Sequence, residues 1–156
     1  MASRFGEDIR LIADGQGYFL ILLVLSILSY FIHPTPVILR PPFTLTGLLL
    51  IAAGLVLAYQ ARTNFLESRT TLSPYESPSA LITGGPFRFS RNPVYLAMAM
   101  ILLGGAVLMG TLLSLLFTAL FIVIIDRVFI PFEEQMLEDL FGTRYREYRQ
   151  RVRRWI

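Results

Sequence analysis

The chain has 156 residues, of which 54% are hydrophobic and only 16% charged, with a mean hydropathy of +0.60. That is too apolar for a water-soluble domain, where about 25% of residues are charged, and too rich in apolar side chains to stay disordered. Cysteine is absent, histidine occurs once (His33), the net charge is +3, and every one of the 14 basic residues is arginine. A disulfide framework, a thiolate metal site, a cysteine nucleophile and a histidine-rich metal cluster are therefore excluded.

The apolar residues fall into four stretches, expected over 17–32, 44–61, 93–109 and 111–130. Each approaches the about 20 residues that cross a hydrocarbon core of about 30 Å as a helix. None shows the polar face of a surface helix. No small-residue cleavage site follows the first stretch, so it reads as a span and not as a signal peptide. Pro34, Pro36, Pro41 and Pro42 mark an outer loop after it. The inner loop, 62–92, carries Pro74, Pro78, Gly84, Gly85 and Pro86, and Gly110 leaves only a tight hairpin between spans three and four. After Pro131 the helix is expected to bend or end, and a charged helical tail occupies 132–156.

Four spans place both termini and the inner loop on one side of the membrane. Thirteen arginines then lie on that side, and Arg40 alone on the other. Cytoplasmic termini follow from the positive-inside rule. The expectation is a single all-α domain: an integral membrane bundle of four transmembrane helices with a cytoplasmic amphipathic C-terminal segment, in a bacterial inner membrane.

Three polar clusters share the cytoplasmic end. Asn92-Pro93 suits a helix start, with Asn as cap and Pro at the first position. Its free N–H groups, with Arg88 and Arg91 beside them, would hold a carboxylate or phosphate; a plain cap with arginines facing headgroups is the alternative. Asp126-Arg127 and Glu133-Glu134 follow the last span, where ionisable groups face a bundle interior or a wet cavity. The two glutamates point about 100° apart on a helix, so one is expected to meet a ligand and the other to be structural. In the tail, Tyr145, Tyr148, Val152 and Trp155 recur at helical spacing opposite arginines, the pattern of a helix lying on a membrane surface. A nucleic-acid-binding tail is disfavoured because the arginines adjoin a span.

Taken together, Leu81-Ile82-Thr83-Gly84-Gly85-Pro86-Phe87-Arg88, Arg91-Asn92-Pro93-Val94-Tyr95-Leu96, Glu133-Glu134 and Phe141-Gly142 with Tyr145 and Tyr148 resemble the isoprenylcysteine carboxyl methyltransferase and phospholipid methyltransferase group. The resemblance covers residues 71–156. It implies methyl transfer from S-adenosyl-L-methionine to a lipophilic acceptor, without a metal. It also implies cofactor contacts at Leu81, Ile82, Phe87, Asn92, Pro93, Val94, Tyr95, Glu133 and Glu134; the chemistry of the donor adds Arg91 at the anion site and Tyr145 and Tyr148 as faces for the sulfonium. Arg127 would meet the methyl acceptor, so Arg127 and Glu133 are the candidate catalytic pair. One departure stands out: isoprenylcysteine enzymes carry His where this chain has Asn92, and Asn cannot act as a base near neutral pH. No Gly-x-Gly-x-x-Gly loop is present, so the bundle itself would hold the cofactor. The alternatives are an NADPH-dependent membrane reductase of related architecture and a non-catalytic lipid-binding protein. The oligomeric state is not set by the sequence.

Overall fold

The computed structural model describes residues 15–32, 39–68 and 80–156. Arg4, Arg10 and Arg69, together with Pro34, Pro36, Pro74 and Pro78, lie outside the described residues. Every regular element among the described residues is helical. α1 spans Gly15–Ile32, and a 3-10 turn at Phe43–Leu45 leads into α2, Thr46–Glu67. A second 3-10 turn, Gly85–Arg88, precedes α3, Pro93–Met109. α4, Leu112–Ile124, runs through a π turn, Ile125–Phe129, into α5, Ile130–Phe141, and α6, Thr143–Arg151, follows.

Three helical stretches are long and apolar enough to cross a membrane: Gly15–Ile32, Phe43–Glu67 and Leu112–Phe141. The remaining apolar helix, Pro93–Met109, is 17 residues long. Their outward faces carry large apolar side chains, among them Leu20, Val24, Leu49, Leu55, Leu116 and Val123. In water these faces would be costly to expose; against lipid they are satisfied.

α2 and α3 make the most intimate pair because small residues let their backbones approach. A methyl group on Gly47 would collide with the carbonyl oxygen of Gly104, and one on Gly54 would sit 2.9 Å from that of Ala97. Gly110 turns the chain between α3 and α4 in the left-handed region (φ 66°), donating its N–H to the Ala106 and Val107 carbonyls at 2.9 and 3.1 Å.

The tail departs from expectation in two places. Pro131 does not end the last span: the helix continues unbroken from Leu112 to Phe141, although Pro131 has no N–H to give the preceding turn, and the Asp126 carbonyl is met instead by Arg154 Nη1 at 3.4 Å. The turn ahead of it is a wider π turn, closed by the Ile130 N–H on the Ile125 carbonyl. The Tyr145 and Tyr148 face does not lie on a membrane surface: both side chains are buried against Ala61 and Phe87. α6 stops at Arg151, and the chain continues as an extended strap. Trp155 packs against a core cluster of Leu22, Tyr95, Ala99, Leu102, Phe121, Ile125 and Ile130. The two clusters meet at the start of α3, where Val94 faces one and Tyr95 belongs to the other.

Candidate active site

The site is built around residues 85–92, which turn tightly between α2 and α3. Phe87, Phe89 and Ser90 donate their N–H groups to the Gly84 and Pro86 carbonyls at 3.1–3.2 Å. This buries the Phe87 ring, which stacks edge-on against Phe65 with centroids 5.4 Å apart. Asn92 occupies the N-cap position, yet its side chain does not cap α3. Ser90 Oγ instead accepts the Asn92 N–H at 3.1 Å, which frees the Asn92 amide to donate to the Arg154 carbonyl at 3.1 Å. Ser90 Oγ also reaches that carbonyl (3.3 Å), and the Arg91 N–H donates to the Arg153 carbonyl at 3.0 Å. The C-terminal strap is thus stitched across the start of α3.

Beneath this turn lies a cavity of about 90 Å³ lined by Phe87, Arg91, Asn92, Pro93, Val94, Tyr95 and Glu133, with Gly15, Gln16 and Phe65 closing it. The adjacent glutamates separate as their helical spacing demands. Glu133 lines the cavity and accepts the Tyr95 hydroxyl at 2.5 Å. Glu134 turns into protein. Its Oε1 lies 2.9 Å from Arg91 Nη2 and its Oε2 2.9 Å from Arg154 Nη2, with the Arg91 and Glu134 side chains 9% and 7% exposed. Arg154 also meets Asp126 Oδ1 at 3.3 Å, and the Trp155 indole donates to the same oxygen at 2.9 Å. One buried polar atom in this network has no partner, Arg91 Nε. A buried donor left unmet carries a penalty of about 1–3 kcal/mol unless a bound group completes it.

Leu81, Ile82, Val94, Tyr145 and Tyr148 gather with Phe87 in one apolar layer. The Tyr148 hydroxyl donates to the Phe87 carbonyl at 2.7 Å, fixing the turn. Burial pushes the Tyr145 hydroxyl up to about 12, with the Glu134 charge adding to it, and burial likewise raises Tyr148. Both stay neutral at ordinary pH and move no protons. Across this layer opens a groove of about 610 Å³, lined among others by Leu81, Thr83, Arg88, Arg144, Tyr148 and Arg151. Arg127 is not brought to the cavity: its side chain, 81% exposed on the π turn, pairs with Asp126 at 3.4 Å. Among the described residues no group of three or more His, Cys, Asp or Glu is placed to hold a metal ion.

Sequence reasoning missed Gly15, Gln16 and Phe65, which carry no motif, and Arg154. A signal for Arg154 existed, since an acidic residue held within a helical bundle requires a cationic partner, and the tail is the arginine-rich segment.

The family model for phospholipid methyltransferases matches residues 43–144, well over half of the chain. Protein-S-isoprenylcysteine O-methyltransferase A of Arabidopsis thaliana is 30% identical over 146 residues, covering 86% of this chain and 71% of that protein. A "Probable protein-S-isoprenylcysteine O-methyltransferase" of Oryza sativa subsp. indica is 37% identical over 81 residues, 50% of this chain, and the chain spans only 41% of its length. An uncharacterized protein of Haemophilus influenzae is 41% identical over 63 residues, its whole length and 40% of this chain. No solved structure matches significantly. The family match, and a 30% identity to the Arabidopsis protein that covers 86% of this chain and 71% of that one, show that the chain belongs to the phospholipid methyltransferase family of membrane methyltransferases.

Proposed function

We propose that the protein transfers a methyl group from S-adenosyl-L-methionine to a lipophilic, membrane-borne acceptor. The observation that carries this reading is the pairing, in one small cavity, of a carboxylate (Glu133) with an arginine whose Nε–H is unmet. The donor's amino-acid end is a zwitterion, and these residues fit it. Glu133 would take its ammonium and Arg91 its carboxylate, and Asn92 lines the same cavity. The rings of Phe87 and Tyr95 offer faces to a cation, a contact worth about 0.5–2 kcal/mol. A cavity of about 90 Å³ holds only that end; the groove of about 610 Å³ on the other side of the Phe87 and Tyr148 layer shares no lining residue with it, so a nucleoside reaching the groove requires that layer to part.

When bound, the donor supplies an electrophilic methyl group. The chain's own residues align the partners and exclude water. The Asn92 amide has no proton to take or give near neutral pH, so the acceptor must arrive as a competent nucleophile. A carboxylate satisfies this and needs no base. Arg127, exposed where α4 nears the membrane surface, would meet the acceptor's head group. Pro93–Met109 completes a four-span bundle, with both termini on the cytoplasmic side of a bacterial inner membrane, as the arginine distribution supports.

A second reading, an NADPH-dependent reductase, draws on Arg88, Arg144 and Arg151 around the large groove, which would suit phosphates. Methyl-labelled S-adenosylmethionine decides between them. Membranes containing the protein should place label in an organic-soluble product, and Glu133→Gln membranes at least tenfold less. No labelled lipid product across a survey of anionic lipids would sink the proposal.

A further inference from the structure

The contact between Arg91 and Glu134 is oddly incomplete. A guanidinium facing a carboxylate prefers the fork arrangement, two parallel N–H···O bonds. Arg91 makes one, from Nη2 to Oε1 at 2.9 Å, while its Nε has no partner. The fork is occupied by Arg154, whose Nη2 and Nε reach Oε2 and Oε1 of Glu134 at 2.9 and 3.3 Å. Arg154 is itself held from three directions. Its carbonyl takes the Asn92 amide and the Ser90 hydroxyl, its Nη1 bonds Asp126, and the neighbouring Trp155 indole locks onto the same carboxylate.

We infer that Arg154 is a positioning residue for ligand binding: by occupying the Glu134 fork, it leaves Arg91, which lines the cavity, with its buried Nε–H unspent, so that the guanidinium can turn to an anionic group on the cavity ligand. Without Arg154, the nearly buried Arg91 has the Glu134 carboxylate 2.9 Å away with a vacated oxygen, and swings into the fork. The cavity then loses its donor. The strap that carries Arg154 thereby couples the C-terminus of the chain to ligand affinity, although Arg154 is not among the residues lining the cavity. The inference rests on the methyl-donor reading for the identity of that anionic group, the carboxylate of the donor's amino-acid end.

The test measures dissociation constants of purified full-length protein for S-adenosylhomocysteine and for 5′-methylthioadenosine, which lacks the carboxylate. Arg154→Ala should weaken S-adenosylhomocysteine at least tenfold and methylthioadenosine less than threefold. Adding Glu134→Gln removes the charge that draws Arg91 away, so the double variant should regain most of the lost affinity, a recovery no purely structural role predicts. An unchanged Arg154→Ala variant, an equal loss of both ligands, or a double variant as weak as the single would each overturn the inference. Wild-type protein that binds neither ligand would instead end the methyl-donor reading, and the inference with it.

Discussion

Removing Glu134 should damage the protein far more than its single negative charge suggests. Glu134→Ala takes away the anion that Arg91 and Arg154 share at 2.9 Å each. Arg154 retains Asp126 and is 30% exposed, so it loses little. Arg91 is 9% exposed and, among the described residues, its side chain keeps a single 3.4 Å bond to the Arg149 carbonyl. Breaking a buried pair by deleting one partner costs about 3–5 kcal/mol, because the other charge stays buried without compensation. For a chain of this size each kcal/mol moves Tm by about 2–4 °C, so Glu134→Ala should melt roughly 6–20 °C below wild type. The assay is intrinsic: Trp155 is the chain's single tryptophan and its indole is bonded to Asp126, so its emission reports on the strap during a thermal melt in detergent. Glu138→Ala is the control, since Glu138 pairs with exposed Arg146 and Arg149 at 3.7 and 3.4 Å, contacts worth about 0–1 kcal/mol. If Glu134→Ala melts with Glu138→Ala, within about 2–4 °C of wild type, the buried-charge argument is wrong.

Tyr148→Phe leaves the buried Phe87 carbonyl without its donor and should cost about 1–3 kcal/mol, read in the same melt; unchanged stability would show that the bond does not hold the turn. Tyr145, raised to about 12 in the fold against 10 when unfolded, keeps its proton where the unfolded chain loses it. Its contribution is therefore complete below pH 10 and lost as pH climbs toward 12, so denaturant midpoints should fall over that window, and less steeply in Tyr145→Phe. Topology can be read from a chain with no native cysteine. A membrane-impermeant maleimide should label Arg40→Cys in intact spheroplasts and Glu147→Cys only after lysis; the reverse pattern would invert the orientation, and labelling of both in intact cells would contradict an even number of spans.

The helical fold was legible because lipid leaves few choices: apolar runs of span length must be helices, and Gly110 between two of them had to turn. Residues 92–95, Phe87 and Glu133 line one cavity, a grouping their motif spacing already suggested, and the roughly 100° offset of Glu133 and Glu134 on a helix is why only one of them faces it. What the pattern could not show was competition between distant partners. Asn92 reads as a cap, but Ser90 takes its N–H and the strap takes its amide, an outcome set by a residue 62 positions away. The Tyr145 and Tyr148 stripe reads equally as a membrane face or a protein face, and periodicity alone cannot say which surface covers it. Arg127 drew attention by standing at a span end, while the need for a cationic partner pointed to the tail but not to which of its six arginines would serve.

Calorimetric titration of the purified protein bears most directly on the central claim. S-adenosylhomocysteine should bind wild type with a micromolar or tighter dissociation constant, Glu133→Gln at least tenfold more weakly, and NADPH should give no heat. Binding of NADPH with none of S-adenosylhomocysteine, or equal affinity in wild type and Glu133→Gln, would contradict a methyl donor held at Glu133.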